Sequence, residues 1–303
     1  LTDHTLRVTQ ATWSQDERRV LTAGRDGTAR IWDAETGREL VRLAGHTGGV
    51  TQATWSRDES RILTAGCGQT DAHGWCTEGT ARIWDAETGE KLVSLAGHTA
   101  DVTQATWSQD ETRVLTRSQD GAARIWDAES GSELASLVGH TGPVYQATWS
   151  QDETRVLTAS DDGTARIWDA RSGRELVTLT GHTDAVYQAT WNRDETRVLT
   201  CSAYGTARIW DAETGKELVR LTGHTGWVTQ ATWSQDERRV LTAGDDGTAR
   251  IWDAETGEEL VSLADHTYWV WQATWSQDGK RVLTVSWRGT ARIWDAQSGR
   301  QLV

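Results

Sequence analysis

Methionine and phenylalanine are absent from these 303 residues, proline occurs once and cysteine three times. Three cysteines are too few for a disulfide scaffold of this size. No run of about 18 apolar residues exists, so nothing in the sequence is set to span a bilayer. Lys and Arg number 31 against 44 Asp and Glu, a net charge of −13. That excess argues against nucleic-acid and membrane-surface roles, which favour a basic face. No stretch carries a sustained 3.6-residue apolar period, so helices are not expected. With Phe and Met missing, the 19 Trp residues must supply most of the bulky packing. Without Met and with Leu1 first, the sequence reads as a trimmed piece of a longer chain, and a cytoplasmic soluble module is the default expectation.

What is present is repetition. Gln-Ala-Thr-Trp occurs seven times, and so does Ala-Arg-Ile-Trp-Asp-Ala, with Trp at 32, 84, 126, 168, 210, 252 and 294. Five of the six intervals are 42 residues, and the one from Trp32 to Trp84 is 52. A sheet-forming unit of this length cannot bury its apolar faces alone, so seven units must stack. Residues 140–181 show one unit. Val144 to Ser150, Val156 to Ser160, Thr164 to Trp168 and Leu176 to Leu179 are rich in strand formers, and Asp162-Gly163 is a hairpin signal. Four short antiparallel strands per unit make a meander. The strands lack clean alternation, as expected of sheets covered on both faces. Fourteen Trp, those of the two repeated motifs, read as core.

Gly139-His140 stands 28 residues before Trp168-Asp169, and most units share that spacing. With seven linked copies, the chain resembles the WD-repeat β-propeller family. The resemblance implies an all-β, seven-bladed propeller over residues 1–303, four strands per blade, with an insertion in blade two at about 67–78. Leu302-Val303 match the start of a fourth strand and Leu1 its end, so the two termini are expected to share the last blade's outer strand. One departure is the first turn, Ser-Gln-Asp-Glu where the family usually has Ser-Pro-Asp-Gly. The resemblance also implies a buried His, Ser, Asp, Trp network, complete here as His98, Ser118, Asp120, Trp126 and as His140, Ser160, Asp162, Trp168. These sets imitate a catalytic triad. A reactive triad would not be installed twice and eroded elsewhere, so they read as structural clamps. Gly24 and Gly244 replace Ser in two blades, with water expected in the hydroxyl's place, and Tyr204 and Arg288 replace the clamp Asp in two others.

The copies differ along one edge, here called the upper edge, where the first strand begins and the second turns into the third. The residue before the first-strand Val runs Arg7, Gly49, Asp101, Pro143, Ala185, Trp227, Trp269, and the residue after it includes Tyr145, Tyr187 and Trp271. The position before the clamp Asp gives Arg25, Gln119, Asp161, Ala203, Asp245 and Trp287. These positions match those that commonly touch partners in the resembled family. Candidate partner-binding residues are therefore Arg7, Arg25, Tyr145, Tyr187, Trp227, Trp269, Trp271, Trp287 and Arg288, with Trp75 in the insertion. Aromatic and Arg anchors dominate binding hot spots. Cys67, Asp71, His73 and Cys76 fit no standard zinc spacing, a Cys67–Cys76 disulfide is the alternative, and Cys201 reads as a small core residue. The expected function is a non-catalytic protein- or peptide-binding module, monomeric in isolation, without cofactor or metal. The resemblance extends to regular arrays that serve as sensors behind NTPase switch modules. Competing readings are an enzyme at the channel mouth and an inert or designed scaffold.

Overall fold

The computed structural model describes residues 3–303. Seven antiparallel sheets follow one another along the chain. The first is built from Val8–Trp13, Arg19–Gly24, Thr28–Asp33 and Glu39–Ala44, hydrogen-bonded in that order. The last has three strands, Val270–Trp275, Arg281–Ser286 and Ala291–Asp295. Beside its outer strand the chain end adds a single bridge, Trp294 to Gln301, and Leu302 N–H donates to the Ile293 carbonyl at 2.7 Å. The expected contribution of Leu1 to that strand lies outside the described residues.

The chain divides into two compact units, Leu1–Trp149 with Ala170–Arg174, and Ser150–Asp169 with Glu175–Val303. Within each unit, one sheet packs on the next through the same apolar set. In the first unit Leu21, Ile31 and Leu43 meet Val50, Ile62 and Trp84. In the second, Leu241, Ile251 and Leu263 meet Val270, Val282 and Trp294 in the same way. Polar side chains register the seams. Gln52 Oε1 accepts the Ala105 N–H at 2.9 Å, and Gln230 Oε1 accepts that of Ala273 at 2.8 Å.

The expectation of fourteen core tryptophans is half right. The seven third-strand indoles are buried, whereas the first-strand set is only partly covered and Trp13 is 61% exposed. The reason is position. The first-strand Trp sits at the lower edge, where an Arg of the preceding sheet covers its ring: Arg19 over Trp55 at 4.7 Å, Arg61 over Trp107 at 4.7 Å, Arg197 over Trp233 at 5.0 Å, Arg239 over Trp275 at 4.8 Å. Such a cation over a ring face is attractive, and the arginine's apolar stem adds cover.

The departure in the first turn has a structural consequence. Glu17, Glu59, Glu111, Glu153, Glu195 and Glu237 all adopt φ between 56° and 59°, the left-handed region that favours glycine. The last sheet has Gly279 there, at φ 65°. Each non-glycine in this region costs about 1 kcal/mol. Four of these glutamates return it by crossing to the preceding sheet. Glu59 accepts the Gln15 N–H and pairs with Arg19 at 2.8 Å, and Glu195 accepts the Gln151 N–H and pairs with Arg155 at 3.0 Å. Glu111 and Glu237 repeat the crossing with Arg61 and Arg197.

Candidate partner-binding edge

The clamp is wired through threonine. In the third sheet His98 Nδ1–H donates to Asp120 at 2.8 Å, and the Thr116 hydroxyl donates to His98 Nε2 at 2.8 Å. The same Thr116 oxygen accepts Trp126 Nε1–H at 2.8 Å. Thr22 and Thr242 hold His4 with Trp32 and His224 with Trp252 in the same manner. The assignment of Ser118 to this network is thereby corrected: its hydroxyl donates to the Ala100 carbonyl at 3.0 Å and accepts the Asp120 N–H at 3.1 Å. Sheets with Gly24 or Gly244 in that place keep the whole His–Thr–Asp–Trp chain. Ser160 likewise accepts the Asp162 N–H at 3.2 Å, and Trp168 Nε1–H donates to Thr158 at 2.8 Å. His140 and Ser160 are buried. Burial alone would raise Asp120, but its bonds from His98, Ala122 and Thr99 outweigh that and hold it at about 2.

Sheets that lack the clamp carboxylate find substitutes. With Tyr204 in place of Asp, His182 Nδ1 meets the Thr206 hydroxyl at 3.2 Å. With Arg288 there, His266 Nδ1 accepts from Arg292 at 2.9 Å, and Arg292 pairs with Asp265 at 3.1 Å. His182 is pushed down to about 3 by burial and by Arg208, and His46 to about 3 by burial and Arg82. These rings stay neutral. A Ser–His nucleophile pair is not formed in the third sheet, because Ser118 faces a carbonyl and Thr116 takes the imidazole.

The upper edge brings two of the three variable positions together in sheet after sheet. The residue before the clamp position donates its N–H to the carbonyl of the residue before the first-strand Val: Arg25 to Arg7 at 2.8 Å, Gln119 to Asp101 at 3.1 Å, Asp245 to Trp227 at 2.9 Å, Trp287 to Trp269 at 2.9 Å. Of the sequence candidates, Arg7, Arg25, Trp75 and Tyr145 belong to the first unit, and Tyr187, Trp227, Trp269, Trp271, Trp287 and Arg288 to the second. In the second unit, Trp269 and Trp287 lie 6.2 Å apart between ring centroids, and Tyr187 and Trp227 6.0 Å apart. Trp227, Trp269 and Trp271 are each about half exposed and Trp287 is 69% exposed. Arg288 lies over the phenol of Tyr268 at 4.7 Å.

The insertion is a longer hairpin. Strands Arg61–Thr70 and Cys76–Asp85 pair as far as Thr70 with Cys76 and carry Trp75 at the tip, 74% exposed. Asp71 accepts the N–H of His73 and of Trp75, both at 2.9 Å, which shapes the turn. Cys67 and Cys76 form a disulfide. The carboxylate near these sulfurs is that of Asp101, and Asp71 is engaged in the turn, so Cys67, Asp71, His73 and Cys76 are not brought together as a ligand set. Cys201 is buried, and burial pushes its thiol up to about 12.

The threonine node and Asp265 escaped the sequence reading. The Thr after the second-strand Leu is present in all seven copies and so showed no contrast, and Asp265 was hidden as a variant of the Gly before His.

Comparison with known proteins agrees with this architecture. The family model described as IFT122 first beta-propeller matches residues 102–303, and the WD domain, G-beta repeat model matches 1–33 and 37–85. No curated protein matches. Among solved structures, the crystal structure of the computationally designed Ika8 protein is 28% identical, covering 96% of this chain and 84% of its own, with a TM-score of 0.76. Propellers of this kind are generally non-catalytic scaffolds for protein interaction. With two thirds of its length matched by one propeller model and the repeats continuing to the other end, the chain belongs to the WD-repeat β-propeller family.

Proposed function

We propose that this chain is a non-catalytic recognition module that takes a protein or peptide along the upper edges of its sheets. The observation that carries this is the aromatic group of the second unit. Trp227, Trp269, Trp271 and Trp287 expose large apolar surface in sheets whose third-strand Trp residues are buried. Exposed apolar patches of this kind mark interaction sites, and Trp is the side chain most enriched where binding energy concentrates. In the first unit Arg7 and Arg25, joined through their main chains, and Trp75 at the hairpin tip are further contact candidates. In the third sheet the Ser118 hydroxyl donates to a main-chain carbonyl and not to His98, which favours the binding reading over an enzyme there.

Selection of a displayed random peptide library on the intact chain tests the proposal. Enrichment of related sequences that disappears when Trp271→Ala and Trp287→Ala are combined is the expected result. Enrichment unchanged by that variant would remove these residues from the function.

A further inference from the structure

Resting on the recognition role above, we infer that the upper edge of the second unit receives a cationic side chain, lysine or arginine, from a peptide. The rings of Tyr187, Trp227 and Trp271 and the carboxylates of Asp184 and Asp245 form the site. Tyr187 and Trp271 line one open cavity of about 310 Å³ together with Gln188, Thr229, Gln230 and Gln272. That is the small end of ligand cavities, which run about 300–1,000 Å³, and suits one long side chain. Tyr187 also stands 6.0 Å from Trp227 with the ring planes 43° apart, so the two rings present a wedge.

Charge supplies the rest. The Asp245 carboxylate folds back over Gly226: a Cβ there would lie 1.7 Å from Asp245 Oδ1. Only glycine lets this acid lie against the main chain beside Trp227. Asp184 accepts the Ala185 N–H at 2.8 Å. Neither carboxylate has an ion-pair partner among the described residues. Burial first, then the neighbouring Asp246, hold Asp245 above the usual carboxylate range. Burial, with Asp184 and Asp161, pushes the Tyr187 hydroxyl up. In both, burial is the first cause and a neighbouring carboxylate adds to it.

At the lower edge and beside Tyr268, this chain covers partly exposed rings with its own cations. Six arginines lie over first-strand indoles, and Arg288 lies over Tyr268. Trp227 and Trp271 carry none among the described residues. The indoles of Trp227 and Trp271 and the carboxylates of Asp184 and Asp245 lack the same thing, and a lysine or arginine from outside satisfies both at once.

The test titrates the full chain with blocked glycine-rich peptides whose one variable residue is Arg, Lys, Gln or Leu, read by calorimetry and tryptophan fluorescence to millimolar concentration. Arg and Lys peptides should bind about tenfold or more tighter than Gln and Leu. Trp271→Ala and Asp245→Asn should each weaken Arg binding about tenfold with an unchanged melting temperature, and added salt should weaken it further. Equal binding of Gln, indifference to both variants, or no binding of Arg and Lys would overturn the inference. A Leu preference that still needs Trp271 would overturn it while leaving the recognition edge standing; a library selection indifferent to Trp271 and Trp287 would remove that wider reading instead.

Discussion

The two edges of the same sheets obey different rules. Along the lower edge every copy repeats a turn, and an Arg covers the indole of the next sheet, often tied to a Glu in left-handed backbone. Along the upper edge, positions joined by one main-chain hydrogen bond hold Arg with Arg, Gln with Asp, Asp with Trp and Trp with Trp. The lower residues reach the neighbouring sheet, so a change in one copy demands a matching change in the next. The upper ones meet water and the backbone, and a substitution disturbs little beyond itself. Repetition therefore marks where sheets grip each other. At the last seam the lower-edge rule shifts too: Gly279 replaces the glutamate and Arg239 turns to the Gly279 carbonyl at 3.1 Å, while the upper edges of the last two sheets carry the tryptophans.

The largest expected effect lies between the edges. Thr116→Val keeps the shape but strips His98 and Trp126 of their shared partner, and should cost about 2–4 kcal/mol in urea unfolding. Ser118→Ala should cost under about 1.5 kcal/mol. The reverse ranking would restore serine as the node.

Acid separates sheets by their clamps. His46 and His182 have folded values near 3 against 6.5 for a free imidazole, so the unfolded chain binds protons more readily. Their contribution is complete above about pH 6.5 and is lost as pH falls toward 3, on the order of a few kcal/mol. Asp26 and Asp120, held near 2 against 3.8, contribute above about pH 4 and lose that only as pH falls through 2. Hydrogen exchange followed from pH 7 to 4 should loosen the second and fifth sheets before the first and third. Simultaneous loosening would contradict the division.

How far the sequence carried is visible in these same residues. Period and turn signals gave all seven sheets and the buried third-strand indoles, because strand pairing and burial repeat in step with the chain. The upper-edge aromatics of the second unit were legible as breaks in that repetition. Thr116 was not, since an invariant residue offers no contrast. The crossing of Glu59 to Arg19 was hidden too, because it joins residues 40 apart through a backbone conformation that sequence assigns to glycine.

At the lower edge, Glu59→Ala keeps the left-handed strain and removes the crossing, for a loss of about 1–2 kcal/mol. Glu59→Gly should lose about 1 kcal/mol less, and equal losses would show that the backbone there is unstrained. Smallest of all should be Trp271→Ala with Trp287→Ala at the upper edge, within about 0.5 kcal/mol in thermal melts. A large destabilisation would place these rings in the packing instead.

The cross-link at the stem of the second sheet's long hairpin has a practical consequence. Residues 71–75 are the exposed tip, enclosed between Cys67 and Cys76. A protease that severs the tip cuts inside a covalent loop, so both fragments stay together and the damaged molecule migrates as intact chain until a reductant frees them.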